Sequence, residues 1–170
     1  SGELGVEKRD GRMVLDFPAY PLKEIETRPE LVDAEVPPLK SWETQENMLM
    51  MLLRNQEEVR SLEPDMDRVA SLPYDEVIIT AKGDDCDFAS RMFAPRIGIP
   101  EDPATGAIHC SLIPYWAKEL GKEKLFARQV SARGGELFCE LAGERVKIGG
   151  DAVLYMKGEI YVASEKSAGA

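Results

Sequence analysis

Glu101-Asp102-Pro103-Ala104-Thr105-Gly106-Ala107-Ile108-His109-Cys110-Ser111-Leu112-Ile113-Pro114-Tyr115-Trp116-Ala117-Lys118-Glu119-Leu120-Gly121 decides the fold. Asp102 is a good N-cap and Pro103 suits a first helical position, so the spacing predicts a helix over 103–120. Gly121 stands where a left-handed C-cap belongs. Up to Ala117 the helix is apolar on nearly every face, and a helix apolar all round is buried all round. Pro114 removes one internal hydrogen bond and predicts a kink.

What surrounds this helix reads as strands. On its C-terminal side, Glu136–Leu141 turns at Ala142-Gly143 into Arg145–Ile148. Asp151–Met156 turns at Lys157-Gly158 into Glu159–Val162, and both read as hairpins. On its N-terminal side, 12–17, 48–53, 77–80 and 86–93 have strand character. Val59, Leu62, Met66, Val69 and Leu72 form two short helices broken at Pro64 and Pro73. Residues 21–45, with Pro21, Pro29, Pro37 and Pro38, read as a long connection without a period. The expected class is α+β, antiparallel strands wrapped around one central buried helix.

The 170 residues fit one domain of ordinary size. A formal charge of −10 argues against a nucleic-acid partner, which needs a basic face, and against an anionic membrane surface. No apolar run approaches a membrane span. Cys86, Cys110 and Cys139 cannot all pair within the chain and read as reduced thiols in a cytosolic setting. The one histidine, His109, excludes a His-rich metal site. The chain opens Ser1-Gly2-Glu3-Leu4, without Met or a signal pattern, as a chain cut from something longer or given an added terminus would.

The chemistry concentrates at the helix start. Free backbone N–H groups and the positive end of the dipole make a site for a carboxylate or phosphate at Thr105, Gly106 and Ala107. Gly106 lets a ligand approach the backbone and costs about 1 kcal/mol of helix stability relative to Ala. Asp102 there could exchange a proton or orient a ligand, although capping alone would account for it. His109 and Cys110 are adjacent on a helix and diverge by roughly 100°, which disfavours a nucleophile dyad. In Arg128-Gln129-Val130-Ser131-Ala132-Arg133-Gly134-Gly135, polar Gln129, Ser131 and Arg133 recur at period two, as on one strand face. That face could grip a carboxylate with Arg133 as a fork, or could be an exposed strand ending in a turn.

The runs DFASRMFAPRIGIPEDPATGAIHCSLIPYWAKELGK (87–122), ARQVSARGG (127–135) and GERVKIGGDAVLYMKG (143–158) resemble the phenazine biosynthesis isomerase-like (PhzF-like) family, which shares the diaminopimelate epimerase fold. The resemblance runs from Ser1 to about Val162. It implies two similar lobes, each a strand barrel around a helix, with the active site where the two helix N-termini meet. A glutamate of the first lobe moves a proton in such enzymes, and an aspartate matching Asp102 assists it. The backbone groups of Thr105, Gly106 and Ala107 would hold the substrate. This chain has Ala107 where the motif usually carries serine.

The first lobe, with its glutamate, has no counterpart here. The implied organisation is a joint over 1–22, the second lobe over 23–162 and a tail over 163–170. The expected function is one lobe of a cofactor-independent acid/base isomerase or epimerase of a small carboxylate. A non-catalytic binding protein on the same scaffold is the alternative. The partner would be a separate first lobe or a second copy of the chain. The thiols do not stand where the epimerases place their catalytic cysteine.

Overall fold

The computed structural model describes residues 3–27 and 36–161. In chain order these give strands Gly5–Arg9 (β1), Arg12–Pro18 (β2), Leu22–Ile25 (β3), Lys40–Thr44 (β4) and Met48–Leu52 (β5). Helices Gln56–Ser61 (α1) and Met66–Ser71 (α2) follow, then strands Glu76–Lys82 (β6), Phe88–Ala94 (β7) and Ile99–Asp102 (β8). Helix His109–Leu120 (α3) precedes Lys124–Gln129 (β9), Gly135–Ala142 (β10) and Arg145–Gly150 (β11).

The strands form one mixed sheet in the order β1-β2-β11-β10-β9-β7-β6-β5-β4-β3, with β8 paired to β7 off this path. The pairs β5–β6 and β7–β9 are parallel and the others antiparallel. β1 and β3 remain as edges, so the sheet is open. This corrects the expected barrel, because closure requires the first and last strands to meet.

Sequence period explains the layering. Side chains alternate across a strand, so Met48 and Met50 of β5 face one core while Leu49 and Met51 face the other. The first core holds α3 with Phe88, Leu125, Val146 and Ile148. The second holds Val59 and Leu62 from the α1 region and Val69 of α2 against Val77 and Ile79. A strand covered on both faces must be apolar throughout, which is why β5 reads Met-Leu-Met-Met-Leu. Asn55 caps α1 through the Glu58 N–H at 2.8 Å, and Asp65 caps α2.

Helix α3 is buried along most of its length, as expected, and ends in Gly121 with φ 65°. Its start differs from the sequence reading. Asp102 ends β8, and the helix begins at His109 without a side-chain cap. The Asp-Pro signal loses to tertiary hydrogen bonds that hold residues 102–105 to Gln129. Pro114 cannot donate to the carbonyl of Cys110. That carbonyl instead accepts the N–H of Tyr20 at 2.9 Å, which ties the segment after β2 to the helix.

Three further expectations are corrected. The polar stretch 128–135 is not one strand, because β9 ends at Gln129 and residues 131–133 bend toward Gly134, whose φ is +74°. Residues 151–161 form no hairpin. No described strand lies beside them, their apolar side chains stand in solvent, and an isolated hairpin is marginal in water. Val162 and the tail 163–170 lie outside the described residues. The connection 21–45 carries β3 and β4 at its ends, while 28–35, with Pro29, also lies outside. β1 and β2 are bonded into this sheet through β11, where Asp16 pairs with Arg145 and Lys147.

Candidate functional site

The segment between β8 and α3 is held by five side chains, those of Asp102, Thr105, His109, Gln129 and Ser131. Thr105 is 7% exposed and each of its polar groups is used. Its N–H donates to Gln129 Oε1 at 2.8 Å, its hydroxyl donates to Asp102 Oδ2 at 2.6 Å, and its carbonyl lies 2.8 Å from His109 Nδ1. Gln129, 1% exposed, donates from Nε2 to the Asp102 carbonyl at 2.6 Å and to Thr105 Oγ1 at 3.1 Å. Ser131 donates to the Pro103 carbonyl at 2.8 Å and accepts the Gly134 N–H at 3.1 Å. A Cβ on Gly135 would stand 2.8 Å from Ala104 Cβ, so glycine lets the two loops touch.

After Thr105 the chain turns into α3. The His109 N–H donates to the Gly106 carbonyl at 3.0 Å, and the Cys110 N–H donates to the Ala107 carbonyl at 3.1 Å. The N–H groups of Gly106, Ala107 and Ile108 have no acceptor among the described residues. They carry the partial positive charge of a helix start. Gly106 sits against β2, where an added Cβ would lie 3.1 Å from Leu15 Cδ1.

Beside this turn opens a cavity of about 1110 Å³, lined by Leu15, Ala104, Gly106, Gln129, Ser131 and Arg133 among others. Arg60, Arg91 and Arg128 also line it. Arg91 is neutralised by Glu101 through two hydrogen bonds at 2.7 and 3.1 Å. Arg128 is paired with Asp85 and Glu136. Arg60 and Arg133 have no ion pair among the described residues, so a chain of net charge −10 leaves two guanidinium groups uncompensated at this cavity.

The site residues read from the sequence therefore divide. Gly106, Gln129 and Arg133 meet at the cavity. Asp102 and Thr105 stand behind them in the hydrogen-bonded loop, and Ala107 is exposed at the turn. Gln129 and Thr105 have committed their polar side-chain atoms to the loop itself.

Two acidic residues were not singled out from sequence. Glu101 faces the cavity because it alternates with Asp102 on β8. A helix over 103–120 capped at Asp102 hides that alternation. Glu76, at the start of β6, has a buried Oε2 without a partner. Burial raises its carboxyl above the usual range, with the negative charge of Asp102 as the next cause. Nothing in the local sequence marks it.

The thiols are unsuited to nucleophilic work. Burial pushes Cys86 and Cys110 up to about 11 and raises Cys139 as well. Among the described residues no group of His, Cys, Asp or Glu could hold a metal ion. No described helix is long and apolar enough to cross a membrane.

This arrangement of strands, central helix and EDPATG loop defines a family. Residues 14–158 match the family described as phenazine biosynthesis-like protein (PhzC-PhzF), and the chain belongs to it. An uncharacterized isomerase of Pseudomonas aeruginosa is 50% identical over 161 residues, covering 94% of this chain and 61% of that protein. A second from the same organism is 39% identical over 166 residues, covering 95% and 62%. The crystal structure of a PhzF-family phenazine biosynthesis protein from Enterococcus faecalis aligns with TM-score 0.84 at 39% identity, covering 94% of this chain and 61% of that one. The chain thus spans about three fifths of the length of these relatives.

Proposed function

We propose that this chain is the substrate-holding lobe of a cofactor-independent isomerase or epimerase that moves a proton on a small carboxylate. The observation carrying this reading is the set of unpaired N–H groups at Gly106, Ala107 and Ile108, beside a cavity with two uncompensated arginines. A carboxylate there would replace the missing acceptors, and Arg133 would bind a second oxygen. Thr105 and Gln129 shape the loop that presents those N–H groups. Asp102 is the group proposed to assist proton transfer, since only its Oδ2 is engaged by Thr105. The opposing base would come from the part of the relatives' length that this chain does not span, supplied by a separate first lobe or a second copy. That relatives carry the name isomerase supports the reaction class.

The test is a titration of the isotope-labelled chain with acetate and with succinate. Saturable shifts of the Gly106 and Ala107 amides support the reading, and silence in this turn rejects it. Adding a polypeptide that corresponds to the first lobe of the Pseudomonas relative should then allow exchange of a substrate C–H for solvent deuterium. The second reading, a binding protein without catalysis, is favoured by Ala107, which lacks a hydroxyl. It predicts carboxylate binding with no such exchange when the first lobe is supplied.

A further inference from the structure

His109 is fully buried, packed against Phe88 with ring centroids 5.8 Å apart. Its Nδ1 lies 2.8 Å from the Thr105 carbonyl oxygen. A carbonyl can only accept, so Nδ1 carries the proton. Burial holds the imidazole down to about 4, so it has a single ring proton at neutral pH and Nε2 is bare. Nε2 is buried and has no partner. Such an orphan is unfavourable, and an apolar side chain would fill the same space without it. The imidazole's one directed contact is therefore the one to explain.

That contact fixes a peptide plane. The described chain has no cis peptide bonds, so the Thr105 carbonyl and the Gly106 N–H point in opposite directions. With the carbonyl held toward the buried imidazole, the Gly106 N–H is turned away from it, on a residue that lines the cavity. The Thr105 N–H is held separately by Gln129, so the plane preceding Thr105 is set by a different residue. Nothing else among the described residues engages the Thr105 carbonyl.

We infer that His109 is a positioning residue which, as the Nδ1–H tautomer, locks the Thr105–Gly106 peptide so that the Gly106 N–H faces the anion. This rests on the anion-site reading above but concerns a residue that touches no ligand. It acts through the backbone, and a freed peptide could rotate its carbonyl outward and present the wrong charge to a carboxylate.

The experiment compares the full chain with His109→Asn and His109→Leu. Asparagine can place an amide N–H near the Nδ1 position, whereas leucine has similar bulk and no donor. The imidazole nitrogen spectrum of the wild-type chain should show the proton on Nδ1. The Gly106 amide resonance should be preserved in His109→Asn and displaced in His109→Leu. Acetate affinity at the Gly106 amide should be retained by the asparagine variant and weakened about tenfold or more by the leucine variant. A folded His109→Leu chain that binds acetate as the wild type does overturns the inference. So does a proton on Nε2, or a Gly106 amide unchanged across the three chains. The failures are separable, since a wild-type chain indifferent to acetate ends the anion-site reading while the tautomer and the amide resonance still decide the positioning role.

Discussion

Acidification should destabilise this chain through His109, and the size of the effect follows from its burial. The unfolded imidazole titrates near 6.5 and the folded one near 4. Between these values the unfolded chain binds a proton that the folded chain does not, so stability falls as pH falls from about 6.5 toward 4. The full difference of about 2.5 pH units corresponds to about 3 kcal/mol, of which about 2 kcal/mol is lost between pH 7 and pH 5. Carboxylates titrate in the same range, so the quantity to measure is the difference between the wild-type chain and His109→Asn. Urea unfolding followed by tryptophan fluorescence suits the purpose, because Trp116 stacks on Phe88 beside the imidazole. The wild-type chain should lose about 2 kcal/mol more than the variant between pH 7 and pH 5. Parallel losses in the two chains would show that the imidazole is solvated or already charged, and the argument from burial would be wrong.

Gln129→Leu removes three hydrogen bonds to the 102–105 loop and should cost about 2–4 kcal/mol in a urea titration. Gly106→Val brings a side chain against Leu15 and into the anion turn, so acetate response should weaken while the melting transition persists. Gly135→Val must push the turn away from Ala104, and the amides of 104–106 should shift while the β10–β11 pattern is kept. Removing residues 152–161 strips Val153, Leu154, Tyr155, Met156, Ile160 and Tyr161, each at least 77% exposed, so binding of the dye ANS should drop. An unchanged ANS signal would mean that these side chains are covered in solution.

The parts of the fold set by local rules were legible. β5 is an unbroken apolar run, β6 carries the β-branched Val77-Ile78-Ile79-Thr80, α1 and α2 are bounded by prolines, and the β10–β11 turn carries its glycine. What escaped is decided by contacts between distant segments. Asp102-Pro103 has the local form of a helix start, yet Gln129, 27 positions on, takes the Asp102 carbonyl and holds the loop open. Gln129 and Arg133 share a parity in sequence, but β9 stops between them, so at the cavity Gln129 is buried against the 102–105 loop while Arg133 stands exposed on the turn. β8 is short and ends in a motif that suits a helix equally well, so its alternation of Glu101 and Asp102 was invisible until it paired with β7. The candidate site was legible as a motif. Its long-range hydrogen bonds were not, because they join residues 102–105 to Gln129 and Ser131.

The hydrogen bond from Tyr20 to the carbonyl freed by Pro114 has a consequence for how the chain is made. The β1–β2 hairpin precedes every other described element in the sequence, yet its sheet neighbour is β11, and the segment that follows it is pinned by residue 110. Most of the described sequence must therefore be synthesised before this hairpin can be secured. Contacts of such long sequence separation slow folding and prolong exposure of unpaired strands. Replacing Pro114 by alanine would mend the helix internally and strand the Tyr20 N–H. The residue that weakens the helix thus provides the point at which the first described strands are tied to elements far later in the sequence.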